Sequence, residues 1–294
     1  MQTTLPKPLE NRWRVLLALL TVYLVWGSTY LAIVFMVETM PPLLATGVRF
    51  IVAGGVMYGW LRLSGVANPS RAEWAASARV GALLMGGGMG MVSLATHLGV
   101  ASGLAATFVA TMPLWMGLWG RLWGEKTRVL EWMGMGLGVA GVAVLSLEGN
   151  LRSNPLGLFL ILFAPMCWAL GSVWSRHLAL PKGLMTPATQ MLVGGVVLIP
   201  MGLALGERFA QVPSLSSLLA WLYLVSFGSV IAYSAYMFLL ENVRPALATS
   251  YAYVNPVVAL LLGAFLAAEP IDLYAWIALP VILLSVGLVA LARR

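Results

Sequence analysis

The sequence LWGRLWGE at residues 118–125 has a counterpart in LLGAFLAAE at residues 261–269, because each ends a long apolar segment with a glutamate. The two glutamates, Glu125 and Glu269, follow the fourth and the ninth of ten helix-length apolar segments. A correspondence of this kind indicates an internal repeat. Five spans per repeat is an odd number, so the second copy would lie upside down in the bilayer, as in many secondary transporters.

The composition is that of a membrane protein. Of the 294 residues, 61% are hydrophobic and 9% are charged, whereas an ordinary soluble domain carries about 25% charged residues. The apolar runs repeatedly reach the roughly 20 residues that a helix needs to cross the hydrocarbon. We therefore expect an all-α integral membrane protein whose ten transmembrane helices form two inverted five-helix repeats, residues 1–147 and 148–294.

Charged residues, prolines and glycine clusters mark the ends of the ten predicted spans. The spans are residues 14–37, 42–62, 79–98, 101–121, 130–147, 156–177, 184–205, 215–239, 246–267 and 273–291. All the intervening loops are short, so we expect the function to be performed within the membrane.

Basic residues are distributed unequally between the two sides of the membrane. If the N-terminus is cytoplasmic, all of the 17 Lys and Arg residues except Arg49, Arg152 and Arg208 fall on the cytoplasmic side. Cytoplasmic loops retain Lys and Arg, so we predict a multi-pass protein of the inner or plasma membrane with both termini in the cytoplasm. The basic residues are scattered and form no continuous face, so the net charge of +7 does not indicate nucleic acid as a partner.

Further pairs of residues recur in the same order in the two halves. Trp26 in the first span corresponds to Trp168 in the sixth, and Pro113 in the fourth corresponds to Pro256 in the ninth. One such match could be chance, but several in a common order suggest duplication.

Three stretches resemble a known family. They are WGSTYLAIVF at residues 26–35, LAATFVATMPLWMGLWGRLWGE at residues 104–125 and SYAYVNPVVALLLGAFLAAEP at residues 250–270. They resemble the drug/metabolite transporter superfamily, specifically its ten-helix EamA-type exporters, and the resemblance covers nearly the whole chain. It implies export of small metabolites. Within that family, the YddG-like exporters of aromatic amino acids and organic cations are most similar to a Trp- and Tyr-rich chain of this kind.

Polar and aromatic residues inside the spans are the candidates for substrate binding, because a polar group in lipid needs a partner or water. The candidates are Trp168, Ser172, Tyr233, Tyr251, Asn255, Met89 and Ser93. Trp168 and Ser172 are four residues apart, as are Tyr251 and Asn255, so each pair shares a helix face. The structural alternatives are serines bonded to their own helix and methionines that fill gaps in the core.

Four other residues are candidates for gating. Pro113 and Pro256 each leave a backbone carbonyl without its donor, and a matched pair of broken helices is typical of a transporter binding site. His97 near the outer end of the third span is either an interfacial histidine or a proton-coupled gate. Arg49 is a strong charge inside the second span, and either snorkelling with structural hydrogen bonds or contact with substrate would offset its cost. The seventh span has Gln190 at the corresponding place.

Together with the resemblance, which implies export, the sequence favours a carrier of small, partly apolar metabolites that works by alternating access around a central cavity, with aromatic amino acids as the first candidates. An exporter of organic cations is the alternative, and a channel is a third possibility. An intramembrane enzyme is disfavoured because the chain has two histidines and no carboxylate in the middle of a span. We therefore expect no catalytic residue, metal or cofactor. The expected partners are the substrate and the lipid bilayer, and the glycine patterns are compatible with a monomer.

Overall fold

A computed structural model describes residues 10–100, 105, 108–145, 154–267, 274, 277, 280–285 and 288. The helices are α1 (Glu10–Val37), α2 (Pro42–Leu63), α3 (Arg71–His97), α4 (Met112–Gly120), α5 (Val129–Leu145), α6 (Pro155–Ser175), α7 (Met185–Ala204), α8 (Leu215–Asn242) and α9 (Tyr251–Ala267). A single helical turn, Pro245–Ala248, precedes α9. Six of these helices, α1, α2, α3, α6, α7 and α8, are long and apolar enough to cross a membrane. The expectation of an all-helical membrane protein is confirmed for the part of the chain described here.

Two sequence predictions fall largely on other residues. Glu269 and most of the predicted tenth span, residues 273–291, lie outside the described residues. The same holds for residues 101–104 at the start of the fourth span.

Polar capping residues determine where the helices begin. α3 begins at Arg71 rather than at residue 79, because Ser70 and Glu73 form a capping box before the apolar run starts. The Asn154 side chain accepts a hydrogen bond from the backbone N–H of Leu156 at 2.9 Å and so caps α6. These helices therefore start in polar surroundings and continue into the apolar core.

Both α3 and α8 contain a wide π-helical segment, in which backbone hydrogen bonds run from residue i to residue i+5. The segments are Ala82–Gly90 in α3 and Leu224–Tyr233 in α8. Such segments are rare and often occur at functional sites. They lie in the third and the eighth predicted spans, which the proposed duplication would make corresponding members, and the sequence patterns did not reveal them.

Glycines allow α2 and α7 to pack closely. A Cβ at Gly54 would lie 2.8 Å from the backbone oxygen of Ala188, and one at Gly47 would lie 2.8 Å from Cγ1 of Ile199. Residue numbers rise along α2 as they fall along the contacting part of α7, so the two helices are antiparallel. Neither glycine leaves room for a larger side chain.

Polar contacts at the two ends of the helices join different sets of loops. At one end, called the Glu207 end, the Glu207 carboxylate accepts hydrogen bonds from the backbone N–H groups of Leu43 and Leu44. At the opposite end, called the Glu125 end, Glu125 pairs with Arg176 at 3.2 Å. The middle of the helices, between these ends, contains the cavity described below.

Candidate substrate cavity

A cavity lies among α1, α3, α4, α6 and α9. Its walls are Trp26, Thr29, Tyr30, Ile33, Gly88, Met89, Val92, Val109, Met112, Ala164, Pro165, Trp168, Tyr251 and Asn255. None of these lining residues is acidic or basic. Small-molecule sites are typically apolar with a few polar groups, and this lining has that character.

Four aromatic rings pack together where the cavity ends toward the Glu125 end. They form the aromatic cluster of Trp26, Trp168, Tyr236 and Tyr251. The ring of Trp26 is central, with its centroid 5.5 Å from that of Trp168, 5.2 Å from Tyr236 and 4.7 Å from Tyr251. Edge-to-face and tilted contacts at these distances are favourable. The cluster therefore closes one side of the cavity with aromatic surface.

Hydrogen bonds fix the orientation of these rings. The indole N–H of Trp168 donates to the hydroxyl of Tyr236 at 3.1 Å, and the hydroxyls of Ser172 and Tyr236 lie 2.7 Å apart. The indole N–H of Trp26 donates to the backbone oxygen of Gly228 at 3.1 Å. Gly228 belongs to the π-helical segment of α8, so the cavity wall is tied directly to that segment.

Asn255 brings a buried side-chain amide to the cavity wall, where it hydrogen-bonds to Tyr30 while its Oδ1 has no donor among the described residues. Its side chain is 1% exposed, and Oδ1 has no hydrogen-bond partner within the described structure. The other polar groups of the wall are partly satisfied, since the Thr29 hydroxyl donates to the Trp26 backbone oxygen at 2.7 Å. A buried acceptor without a donor is costly, so Oδ1 favours a ligand that carries an N–H or O–H group.

The predicted substrate-binding residues divide into two groups. Trp168, Tyr251, Asn255 and Met89 line the cavity. The other three, Ser172, Tyr233 and Ser93, are buried in contacts between helices behind the wall.

Each of these three hydroxyls has a partner on a neighbouring helix. Ser172 contacts Tyr236, as described above, and Ser93 accepts a hydrogen bond from the Thr46 hydroxyl at 3.0 Å. The Tyr233 hydroxyl donates to Oε1 of Gln190. The sequence predicted these residues as ligand contacts, but the structure places them in polar contacts that hold helices together.

The two prolines predicted to take part in gating lie at different positions in their helices. The helix of the fourth span is interrupted at residues 110–111, and Pro113 lies in the first turn of α4. Pro256 lies inside α9, one residue beyond Asn255. His97 is the last residue of α3 and is exposed to the surroundings.

Several wall residues were missed by the sequence reasoning. Trp26 was noted only as a marker of the repeat, although it is the centre of the aromatic cluster. Thr29 and Tyr30 follow it at helical spacings of three and four and therefore share its face. Pro165 lies inside α6 and also lines the cavity. The periodicity from Trp26 was the signal that could have identified Thr29 and Tyr30.

Arg49 lies outside the cavity wall, fully inside the protein. Its side chain is 1% exposed, and its Nε donates to the Ser229 hydroxyl at 2.7 Å. The guanidinium carbon lies 5.0 Å from the centre of the Phe50 ring. Nη2 has no hydrogen-bond partner in the described part of the chain. A buried cation with so few acceptors is unusual and marks a functional candidate.

The long apolar helices and the cavity, whose lining carries no charged residue, are the features of a multi-pass membrane protein with a candidate small-molecule site. In the described residues, no cluster of three or more His, Cys, Asp or Glu side chains could hold a metal ion. The profile of the EamA-like transporter family matches residues 13–147 and again residues 155–291. The chain belongs to this family, which confirms the EamA-type resemblance and agrees with the expectation that the protein is not an enzyme.

Known proteins resemble the chain over most of its length. It is 48% identical to the inner membrane transporter YedA of Escherichia coli K12, over 94% of this chain and 90% of YedA. It is 29% identical to Protein PecM of Dickeya dadantii, over 81% of this chain and 80% of PecM. A solved crystal structure superimposes with a TM-score of 0.76 at 22% identity, over 95% of this chain and 99% of the other. At that identity, the structural likeness shows the fold alone.

Proposed function

We propose that the protein is a secondary transporter of the inner membrane that exports small, partly apolar metabolites, with aromatic amino acids as the first candidates. The observation that carries the proposal is the uncharged cavity between the two ends of the helices, walled by Trp26, Trp168 and Tyr251, with Asn255 as a polar residue of its lining. An aromatic side chain would pack against the rings, and an ammonium group would donate to Asn255 Oδ1. Outward direction comes from the YddG-like resemblance.

We further propose that two inverted five-helix repeats perform alternating access around this cavity, with both termini in the cytoplasm. Three observations support the repeats. The family profile matches each half separately, corresponding helices α2 and α7 are antiparallel, and corresponding helices α3 and α8 both contain π-helical segments. Two equivalent halves permit two related conformations of similar energy, each open to one side.

Polar contacts at the Glu125 end support a closed cytoplasmic side. Glu125 joins the segment between α4 and α5 to Arg176 at the end of α6, at 3.2 Å, and to His177, at 3.4 Å. The ring of His177 also stacks on that of Trp123 with centroids 5.4 Å apart. These contacts connect the first half to the second, so they must break when that side opens. A single chain provides all of them, which is consistent with a monomer as the transporting unit.

Export of organic cations is the second candidate function. The faces of the aromatic cluster attract cations, and Asn255 Oδ1 would accept a hydrogen bond from a protonated amine. In the described lining no acidic residue neutralises such a cation, so we rank zwitterionic amino acids first.

The test is transport by purified protein in liposomes. Labelled phenylalanine, tryptophan and tetraethylammonium are measured separately, with and without a pH gradient. Saturable flux that excess unlabelled compound inhibits supports a carrier. Trp168→Ala and Tyr251→Ala are expected to reduce this flux by up to about tenfold, because each removes an aromatic contact of about 0.5–1.5 kcal/mol. Trp60→Ala is the control, since Trp60 is 59% exposed on the outer surface of α2.

Two results would count against the proposal. The first is flux no greater than that of empty liposomes for every compound in an extended amino-acid and cation panel. The second is flux that both cavity variants leave unchanged.

A further inference from the structure

Arg49 has an incomplete set of hydrogen bonds for a buried cation. A guanidinium has five N–H donors, and in the described structure Arg49 places one of them on Ser229 and leaves Nη2 without an acceptor. No carboxylate of the described residues lies within ion-pair distance of it. A charge inside a membrane protein that has no counter-ion is expensive, so the site favours binding of an anion.

Snorkelling to the membrane surface does not offset this cost. The Arg49 side chain is 1% exposed, whereas a snorkelling arginine extends its charged group to the interface. Its counterpart Gln190 is likewise buried and keeps an unpartnered Nε2 in the described structure, but it is neutral. Of these two corresponding positions, only the one in the first half therefore carries a charged residue.

Arg49 lies directly behind the cavity wall. A Cβ added to Gly228 would lie 3.1 Å from Nη2 of Arg49 and 3.3 Å from Cγ2 of Thr29. Thr29 lines the cavity, and the backbone oxygen of Gly228 accepts a hydrogen bond from Trp26, another wall residue. The Thr29 side chain therefore separates Nη2 of Arg49 from the cavity. Gly228, which lies beside both groups, has no side chain of its own.

We propose that Arg49 binds the carboxylate of the transported molecule. This inference rests on the proposed function and specifies its substrate class as molecules that carry a carboxylate. Movement of Thr29 would let the carboxylate reach Nη2, while an ammonium group of the same molecule faces Asn255 Oδ1. The two groups would recognise the two charges of an amino acid, and the aromatic cluster would contact its side chain.

The test compares acids with their decarboxylated analogues. Binding to purified protein in detergent is measured by the shift in unfolding temperature, using three pairs: phenylalanine and phenethylamine, tryptophan and tryptamine, leucine and isopentylamine. In the wild-type protein, at least one acid should bind more tightly than its amine. Arg49→Leu should weaken that acid about 10- to 100-fold, the loss expected for a charge-assisted hydrogen bond, and leave the amine unchanged. Arg49→Lys should retain part of the difference.

Two further variants keep the test valid if Arg49→Leu fails to fold. Gly228→Ala leaves Arg49 in place but inserts a methyl group between it and Thr29, so it should reduce acid binding selectively. Gly59→Ala is its control, because a Cβ there meets nothing within 4 Å. Any variant that still binds the amine is folded, so the ratio of acid to amine affinity is an internal control.

Three outcomes would overturn the proposal. One is an acid preference that Arg49→Leu and Gly228→Ala leave intact, and another is a wild-type protein that binds every amine as well as its acid. The third is Arg49-dependent binding of chloride that the acids do not displace, which would indicate a resident inorganic anion. Failure of the carrier itself is distinguishable, because Arg49-dependent acid binding without any flux would leave this assignment standing and remove the transport function.

Discussion

Glu131 of α5 and Arg244, in the connection between α8 and α9, form an ion pair of 3.0 Å in which the Glu131 side chain is only 4% exposed. The second carboxylate oxygen of Glu131 accepts a hydrogen bond from the backbone N–H of Arg128 at 2.8 Å. The pair joins the first half of the chain to the second at the Glu125 end. A buried carboxylate depends strongly on its partner, so this contact is the strongest candidate for a latch at that end.

Removal of Arg244 should therefore release this end. Among the described residues, Arg244→Ala leaves Glu131 buried with the Arg128 backbone contact, and we expect a loss of about 1–3 kcal/mol in the free energy of unfolding. A cysteine replacing Met116, which lines the adjacent space, should react faster with a maleimide in this variant. Glu131→Gln, which removes the charge and keeps the shape, should be less destabilising. Equal maleimide rates with and without Arg244 would contradict the latch.

The close packing of α2 on α7 predicts opposite effects at two adjacent glycines. A Cβ at Gly54 would lie 2.8 Å from the backbone oxygen of Ala188 and 2.9 Å from the backbone nitrogen of Leu192, whereas one at Gly55 meets nothing within 4 Å. Gly54→Ala should destabilise the protein by about 1–3 kcal/mol because backbone atoms must move apart. Gly55→Ala should be neutral or stabilising by up to about 1 kcal/mol, since alanine favours helix. Unfolding in mixed micelles measures both, and similar effects would refute the packing.

The sequence predicted those features that a continuous stretch of residues specifies. Apolar length and polar ends locate α1, α2, α6 and α7 within a few residues, because a helix in lipid must satisfy its own backbone and be long enough to cross. The family resemblance came from motifs that are contiguous in sequence. The pairing of Tyr251 with Asn255 followed from helical periodicity, and both residues line the cavity.

Some residues predicted to contact the ligand do not line the cavity, and recognising this from sequence would have required knowledge of the neighbouring helices. Ser93 and Tyr233 looked like ligand contacts because an intramembrane hydroxyl needs a partner, but Thr46 and Gln190 on other helices supply those partners. The central position of Trp26 depends on three helices that meet only in the fold. The π-helical segments depend on where surrounding side chains insert, which no local pattern specifies.

The contact between Gly88 of α3 and Trp168 of α6 allows a direct test of the cavity. A Cβ at Gly88 would lie 2.6 Å from Cε3 of Trp168, so Gly88→Ala must displace the Trp168 ring, which lines the cavity. We expect transport or ligand binding to fall at least about tenfold, with a loss of stability of about 1–3 kcal/mol. Gly136→Ala is the matched control, because nothing lies within 4 Å of a Cβ there. Full activity of a folded Gly88→Ala protein would exclude this cavity as the transport site.

The proposed inverted repeat predicts opposite accessibility for corresponding loops. The chain has one cysteine, Cys167, which is buried, so new cysteines can be introduced after Cys167→Ala. In intact spheroplasts, a membrane-impermeant maleimide should label Arg208→Cys and Glu269→Cys directly, but should label Lys126→Cys only after permeabilisation. Lys126 follows Glu125, and Glu269 is the counterpart of Glu125 in the second half, so labelling on opposite sides is what an odd number of spans per repeat requires. If Lys126→Cys and Glu269→Cys react from the same side, the two halves are not inverted and cannot exchange roles in alternating access.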